Sequence, residues 1–215
     1  MTGIPKLSVI VPVYNEERTL RTIIRALRDV PLPMEIICVN DCSKDQSAAI
    51  LDEMKSKQLV DIVVQDADLE YDPHEFGRLL APIMEDKADA VFGSRFLGGG
   101  GRVLYFYLSV GNSLLTLLSN MCTDLNLTDM ETCYKMVKAP LMKSLVFTSD
   151  RFGFEPEITA RLAQADARIW EVPISYNGRT YAEGKKIGWK DGVAAFFHIL
   201  RFNFFPPKRA PSQSA

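Results

Sequence analysis

Two aspartates one residue apart, Asp66 and Asp68, follow the apolar run "DIVV" and open the stretch "QDADLEYDP", which sets four carboxylates within seven residues. In a loop leaving a strand, both side chains can turn into one crevice. Hard oxygen donors of this kind suit Mg²⁺ or Mn²⁺, which take one or two protein carboxylates and complete the shell with water and phosphate oxygens. The predicted occupant is a divalent cation on a diphosphate, with Asp68 and Asp66 as ligands. An acidic turn open to water, with Asp72 capping a helix at Pro73, is the other reading of the same residues. Asp41 in "NDCSKD" and Glu16 and Glu17 in "YNEE" divide likewise between ligand contacts and ordinary turn or helix-dipole roles. On the basic side, Arg95 in "GSRF", Arg102 after four glycines, and Arg179, Lys185 and Lys186 in "GRTYAEGKK" are candidates for holding an anionic group. Each alone also reads as a solvated surface charge.

Strands and helices must bring these clusters together. Leu7 to Val13, "LSVIVPV", is a short β-branched run suited to a strand buried on both faces of a parallel sheet. Asn15 is placed as the cap of the next helix, with Glu16 and Glu17 in its first turn and Leu20, Ile23, Ile24 and Leu27 on its apolar face. Further strands are expected at Glu35–Asn40, Asp61–Gln65 and Ala88–Phe92, with helices at about Gln46–Lys57 and after Pro73. Strands alternating with helices predict a doubly wound, mostly parallel α/β sheet, whose ligands sit outside the carboxyl ends of its strands. All three polar clusters fall at that edge. In the second half, helices are expected at Val103–Met121, at Glu155–Ala165 and from Trp189, and an edge strand carrying Pro173 at Arg168–Tyr176.

Composition narrows the function. The chain has 215 residues, a formal net charge of −2 and four cysteines without a C-x-x-C pair. That balance argues against binding nucleic acid by bulk charge, and the cysteines, read as small buried fillers, fit a reduced cytoplasmic setting. No apolar run reaches the roughly 18 residues of a membrane-spanning helix. The stripe Val193, Phe196, Phe197, Leu200 and Phe204, flanked by Lys190 and Arg201, predicts instead a helix lying in the headgroup region of a membrane, with Val103–Met121 as the other candidate anchor.

The motifs "VPVYNEE", "VNDCSKD", "QDADLEYDP", "GSRF", "TDMETCYKM", "RFGFEPEITARLA" and "VPISYNGRTYAEGKKIGWKDG", in this order from about Leu7 to Phe205, resemble family 2 glycosyltransferases in their dolichyl-phosphate mannose synthase-like branch. The resemblance implies an inverting enzyme of GT-A fold, with a Rossmann-like, mostly parallel sheet flanked by helices. It would move a hexose from GDP-mannose or UDP-glucose to a polyprenyl phosphate at a membrane surface, using Mg²⁺ or Mn²⁺. By the same resemblance, Pro12, Tyr14 and Glu16 line the nucleotide site, Asp41 reads the base or ribose, Asp66 contacts the nucleotide sugar and Asp68 holds the metal. Arg95, Arg102, Arg179, Lys185 and Lys186 would face the acceptor phosphate. Asp129 and Glu131 match the family's sugar-binding or base position and, with Asp68 and Arg95, are the candidate catalytic residues. Two alternatives stay open: transfer to a saccharide hydroxyl, which needs a carboxylate base, and a non-catalytic nucleotide-sugar-binding relative. A homo-oligomer is compatible with the sequence.

The chain departs from the family in one interval. Another strand and helix, opening with a Gly-Lys-Gly-type segment, is expected between "SAAILDEMKS" and the strand before Asp66, where only "KQLVDIV" stands. The expectation is a break in the chain between Lys55 and Val64. Residues 1–186 are read as the catalytic domain, 187–205 as a C-terminal amphipathic helix and 206–215 as a disordered tail.

Overall fold

The computed structural model describes residues 7–40, 42–53, 61–64, 69–98, 101–102, 105–149, 153–180 and 188–205. Six strands form one sheet: β1 (Leu7–Val13), β2 (Met34–Asn40), β3 (Asp61–Val64), β4 (Ala90–Ser94), β5 (Lys135–Val137) and β6 (Ile169–Pro173), in the order β2-β1-β3-β5-β4-β6. β1 pairs parallel with β2 and β3, and β4 parallel with β6, while β5 runs antiparallel between β3 and β4. Five carboxyl ends therefore share one edge, and β5 begins there. The helices are α1 (Leu20–Asp29), α2 (Ser47–Glu53), α3 (Phe76–Met84, after a 3₁₀ turn at Pro73–Glu75), α4 (Phe106–Thr123), α5 (Ala139–Ser144), α6 (Phe154–Gln164) and α7 (Trp189–Phe204).

Alternation along the strands separates two cores. Val91 and Met136 join Val9, Val11, Ile23 and Phe76 on one face, whereas Ala90, Phe92 and Val137 join Ile158, Leu162 and Ile199 on the other. Side chains of period 2 on a sheet covered on both sides give this division, and it explains why β1 and β4 read as continuous apolar runs. The two covers are α1 with α3, and α6 with α7 and the partly buried side of α4. α7 packs on both α4 and α6, with Ile199 and Phe202 fully buried, so it is part of this core.

Several expectations change in detail. α1 starts at Leu20 behind Thr19, not at Asn15. Asn15 has φ 55° and its Oδ1 accepts from the Lys44 N–H at 2.8 Å, so it closes a loop-to-loop contact instead of capping a helix. Glu16 and Glu17 accordingly lie before the helix. β5 was not expected, because three residues with a lysine at their head carry no alternation that a sequence reading can detect. Cys42 is exposed and Cys38, Cys122 and Cys133 are partly exposed free thiols, so none is a buried filler. Asp72 does cap its turn, accepting from the His74 N–H at 3.0 Å. β6 lies at the sheet edge, as Pro173 suggested. Among the described residues, no helix is long and apolar enough to cross a membrane. Of the interval Lys55–Val64 in which a break was expected, residues 61–64 form β3 and the rest lies outside the described residues, as does the tail 206–215.

Candidate active site

At the carboxyl edge, the loops after β1 and β2 are laced together. The backbone N–H groups of Asn15, Glu16 and Glu17 donate to Ser43 Oγ, Ser47 Oγ and Asp45 Oδ2 at 3.1, 3.0 and 3.1 Å. In return, Asn15 Oδ1 and Glu17 Oε2 accept from the Lys44 and Gln46 N–H groups at 2.8 and 3.0 Å. Short polar side chains that satisfy a neighbouring loop's backbone explain why "YNEE" and "NDCSKD" are polar without being mobile surface. Pro12 and Tyr14 are exposed at this edge, and Glu16 is partly buried beside them. Asp41 lies outside the described residues, as do Asp66 and Asp68. The chain on either side of the latter pair is placed, with β3 ending at Val64 and Leu69 following at φ 65°.

The end of β4 carries a different arrangement. Gly93 makes room, since a Cβ there would lie 2.9 Å from Ile174 Cγ2 and 3.0 Å from Tyr134 Cβ. Two residues on, Arg95 Nε and Nη2 donate to Asp129 Oδ2 and Oδ1, both at 2.7 Å, and Nη2 also donates to Asn112 Oδ1 at 3.1 Å. The Asp129 side chain is 0% exposed and that of Arg95 16%. The fork-to-fork pairing of so enclosed a carboxylate makes Asp129 the partner that fixes Arg95. The guanidinium also lies 5.1 Å from the Tyr176 ring centroid.

The segment from Thr128 to Thr132 is held from both sides. Glu171 on β6 accepts from the Thr128 and Asp129 N–H groups at 2.9 and 3.2 Å. Thr116 on α4 accepts from the Met130 N–H at 3.1 Å. Lys135, fully buried at the start of β5, donates from Nζ to the carbonyls of Met130, at 2.8 Å, and of Thr132. The residue this frame presents is Glu131, whose Oε1 is enclosed and has no hydrogen-bond partner among the described residues. Burial, and then the nearby charge of Glu155, raise its pKa to about 7 against the pull of Lys135 and Arg95. Burial likewise pushes the Lys135 pKa down and the Glu155 pKa up. A carboxyl group of this kind is poised to take a proton near neutral pH.

Glu70, the third acid of "DADLEYD", organises the remaining side. Its Oε2 accepts from Tyr176 Oη at 2.6 Å and its Oε1 from the Arg179 N–H and Nε at 2.9 and 3.3 Å. Arg179 Nη1 also stands 3.9 Å from Glu16 Oε1. Glu70, Tyr71, Arg102 and Tyr176 help to line a cleft of about 470 Å³. Of the expected cations, Arg95 and Arg179 thus face carboxylates, Arg102 lines the cleft, and Lys185 and Lys186 lie outside the described residues. Glu70, Asn112, Lys135, Glu171 and Tyr176 were missed by sequence reasoning. Glu70 had a signal, its place in the acidic stretch; Asn112, Glu171 and Tyr176 act on partners distant in sequence, and Lys135 on carbonyls of the segment just before it.

The profile of this fold and edge finds a match. Residues 8–63 and 62–145 match the family described as Glycosyl transferase family 2. The chain belongs to that family. The two matched pieces meet at 62–63, within the interval where a strand and helix were expected. Among relatives, an undecaprenyl-phosphate mannosyltransferase of Micrococcus luteus is 28% identical over 225 residues, covering 88% of this chain and 90% of that protein. The low-salt glycan biosynthesis hexosyltransferase Agl6 of Haloferax volcanii is 26% identical, covering 86% of this chain and 52% of its own. A structure of glucosyl-3-phosphoglycerate synthase from Mycobacterium tuberculosis with Mn²⁺, UDP and glucosyl-3-phosphoglycerate superposes with a TM-score of 0.70 at 17% identity, over 94% of this chain and 81% of that one. Another structure of that synthase, with Mg²⁺ and UDP, gives a TM-score of 0.67 at 16% identity, over 94% and 81%. The GT-A type α/β fold expected from the motifs is the observed fold.

The branch and the acceptor are corrected. Several solved structures that superpose on this family 2 chain are of a synthase crystallised with UDP-glucose and phosphoglyceric acid, and none of these is a dolichyl-phosphate mannose synthase-like enzyme. The relative named for undecaprenyl phosphate is 28% identical, and its acceptor stays its own. The polyprenyl phosphate and the membrane surface therefore fall as partners. The site gives the physical reason: Arg95 and Arg179, two of the cations expected to face an acceptor phosphate, are engaged by Asp129 and Glu70.

Proposed function

We propose that this chain transfers a hexose from a nucleoside-diphosphate sugar of the UDP-glucose kind to a hydroxyl group of a small acceptor, with inversion. The observation that supports this reading is Glu131, an enclosed carboxyl with a pKa of about 7 and an oxygen unpartnered among the described residues, held at the edge where nucleotide-sugar motifs converge. An anionic phosphate acceptor would not need such a group, whereas a hydroxyl does. Glu131 takes the hydroxyl proton as the acceptor oxygen bonds to the anomeric carbon, the bond from that carbon to the diphosphate oxygen breaks, and the nucleoside diphosphate leaves with the electron pair. Pro12, Tyr14, Glu16 and Asp41 are assigned to the nucleotide, and Arg102, in the cleft, to an anionic substituent of the acceptor. Lys135 and Glu171 keep the Thr128–Thr132 segment in place, so that Glu131 meets the acceptor without reorganising.

The donor set fits a divalent cation. Among the described residues no group of three His, Cys, Asp or Glu side chains could hold a metal. A site would draw on Asp68 and Asp66, leaving positions for water and phosphate oxygens, as Mg²⁺ and Mn²⁺ prefer. When bound, the cation supplies charge neutralisation on the departing diphosphate. The test is transfer of labelled glucose from UDP-glucose, with Mn²⁺, to a set of small hydroxyl acceptors that includes 3-phosphoglycerate. Glycoside formed by the native chain and reduced about 10²–10⁴-fold in Glu131→Gln supports the reading. UDP binding without turnover on any acceptor would favour the non-catalytic alternative, and full activity in Glu131→Gln would remove the base.

A further inference from the structure

Helix α4 packs Leu115, Leu118 and Cys122 against the core and carries a second apolar side that faces water. None of its 18 residues is charged, yet Tyr107 is 84% exposed, Val110 39%, Leu114 62%, Leu117 56% and Met121 75%. Three of its polar residues face inward and are in use: Asn112 bonds Arg95 and Asp129, Thr116 accepts from Met130, and Asn120 exchanges two hydrogen bonds with the Leu127 backbone, while Ser109 and Ser113 stand among the exposed residues. An ordinary surface helix turns its apolar stripe to the core and its charges to water. Here an apolar stripe faces water as well.

The exposed residues are also spaced in a particular way. Positions 107, 110, 114, 117 and 121 alternate steps of three and four, the a/d pattern of a helix that packs along another helix. An interfacial membrane helix carries Lys and Arg along its polar face, and α4 has neither. Gly111 has nothing within 4 Å of a Cβ position, leaving its surroundings open to approach. With Phe106, 72% exposed, the stripe offers about 780 Å² at the roughly 200 Å² of a large side chain, close to the ~800 Å² per partner of a stable interface. That exceeds the largest apolar patch of a typical monomer.

We propose that α4 pairs with α4 of a second copy of this chain about a two-fold axis. An uncharged stripe is complementary to itself, which an isologous contact requires, and twofold dimers are the commonest closed assembly. The pairing buries the outer side of the helix whose inner side positions Arg95, Asp129 and the segment carrying Glu131, so dimer formation and the geometry of the site share one element. The proposal stands on exposure and spacing and is independent of the transferred sugar or its acceptor.

Sedimentation equilibrium of the full chain, read across the micromolar range, tests it. The native chain should be a dimer. Leu114→Glu/Leu117→Glu should raise the dimer dissociation constant at least about a hundredfold, with far-ultraviolet circular dichroism unchanged, because both positions are exposed and central to the stripe. Should the double variant lose its fold, the milder Tyr107→Ser/Met121→Ser, read in the same way, gives the decision. A monomeric native chain at all concentrations overturns the proposal. So does a dimer equally tight in the variants, and so does a monomer that instead sediments with phosphatidylcholine–phosphatidylglycerol vesicles through Leu114 and Leu117.

Discussion

The two halves of the carboxyl edge are stabilised by different physics. The loops after β1 and β2 meet through single hydrogen bonds from backbone N–H groups to side-chain oxygens, several of them exposed to water. Around Arg95, Asp129 and Lys135, charges with little or no exposure are held in low dielectric. In the first half each bond exchanges protein for water at small net gain; in the second, leaving one partner unpaired is costly. The first half is suited to adjust to a nucleotide, and the second to keep Glu131 in one place.

The most disruptive way to break this contrast is Asp129→Ala, which leaves the Arg95 guanidinium enclosed without its counter-charge. A loss of about 3–5 kcal/mol is expected, measured by urea unfolding. An effect below about 1 kcal/mol would mean that the pair is effectively solvated. Glu70→Ala should rank second. It removes the acceptor for Tyr176 Oη and for the Arg179 N–H and Nε, so about 1–3 kcal/mol of stability should be lost. Acceptor KM should rise more than donor KM, because the tie lies along the cleft. Ser47→Ala, which frees the Glu16 N–H and removes a side-chain hydrogen bond to Asp45, should cost about 0.5–1.5 kcal/mol and weaken UDP binding, read by titration calorimetry, while leaving Glu131 chemistry intact. If Ser47→Ala proved as destabilising as Asp129→Ala, the two halves would not differ in the way described.

Legibility in the sequence follows the same division. β1, β4, α1 and α3 announced themselves because burial imposes a period that local residues must obey. The clusters at the carboxyl edge were legible too, since loops that bind polar ligands are polar. What Arg95 and Asp129 do to one another was not, because the partners are 34 residues apart and nothing local marks them as a pair. Arg95 therefore read as an open cation and Asp129 as a sugar contact. Lys135 hid for the opposite reason: a lysine heading three strand residues looks like surface until its ammonium is seen capping the Met130 and Thr132 carbonyls. The acceptor was misjudged by counting cations without their counter-charges, and Glu131 was noticed by motif while its raised pKa depended on packing by α6 and β5.

That raised pKa has a stability consequence whose sign is fixed. The ordinary value is 4.5 and the folded value about 7, so between them the folded state binds more protons than the unfolded one. The contribution of Glu131 to stability is present below 4.5 and is lost as pH rises through about 7. Glu131→Gln should therefore melt higher than the native chain above neutral pH and lose that advantage in acid, as scanning calorimetry at several pH values would report.

The central claim is that Glu131 is the base for a hydroxyl acceptor, and the pH profile of kcat/KM is its most direct measurement. A base works only when deprotonated, so kcat/KM should climb with pH to a plateau, with a midpoint near the folded value of about 7. In Glu131→Gln the residual rate should lose that limb. A native profile that is flat through neutral pH, or a limb that survives unchanged in Glu131→Gln, would contradict the account.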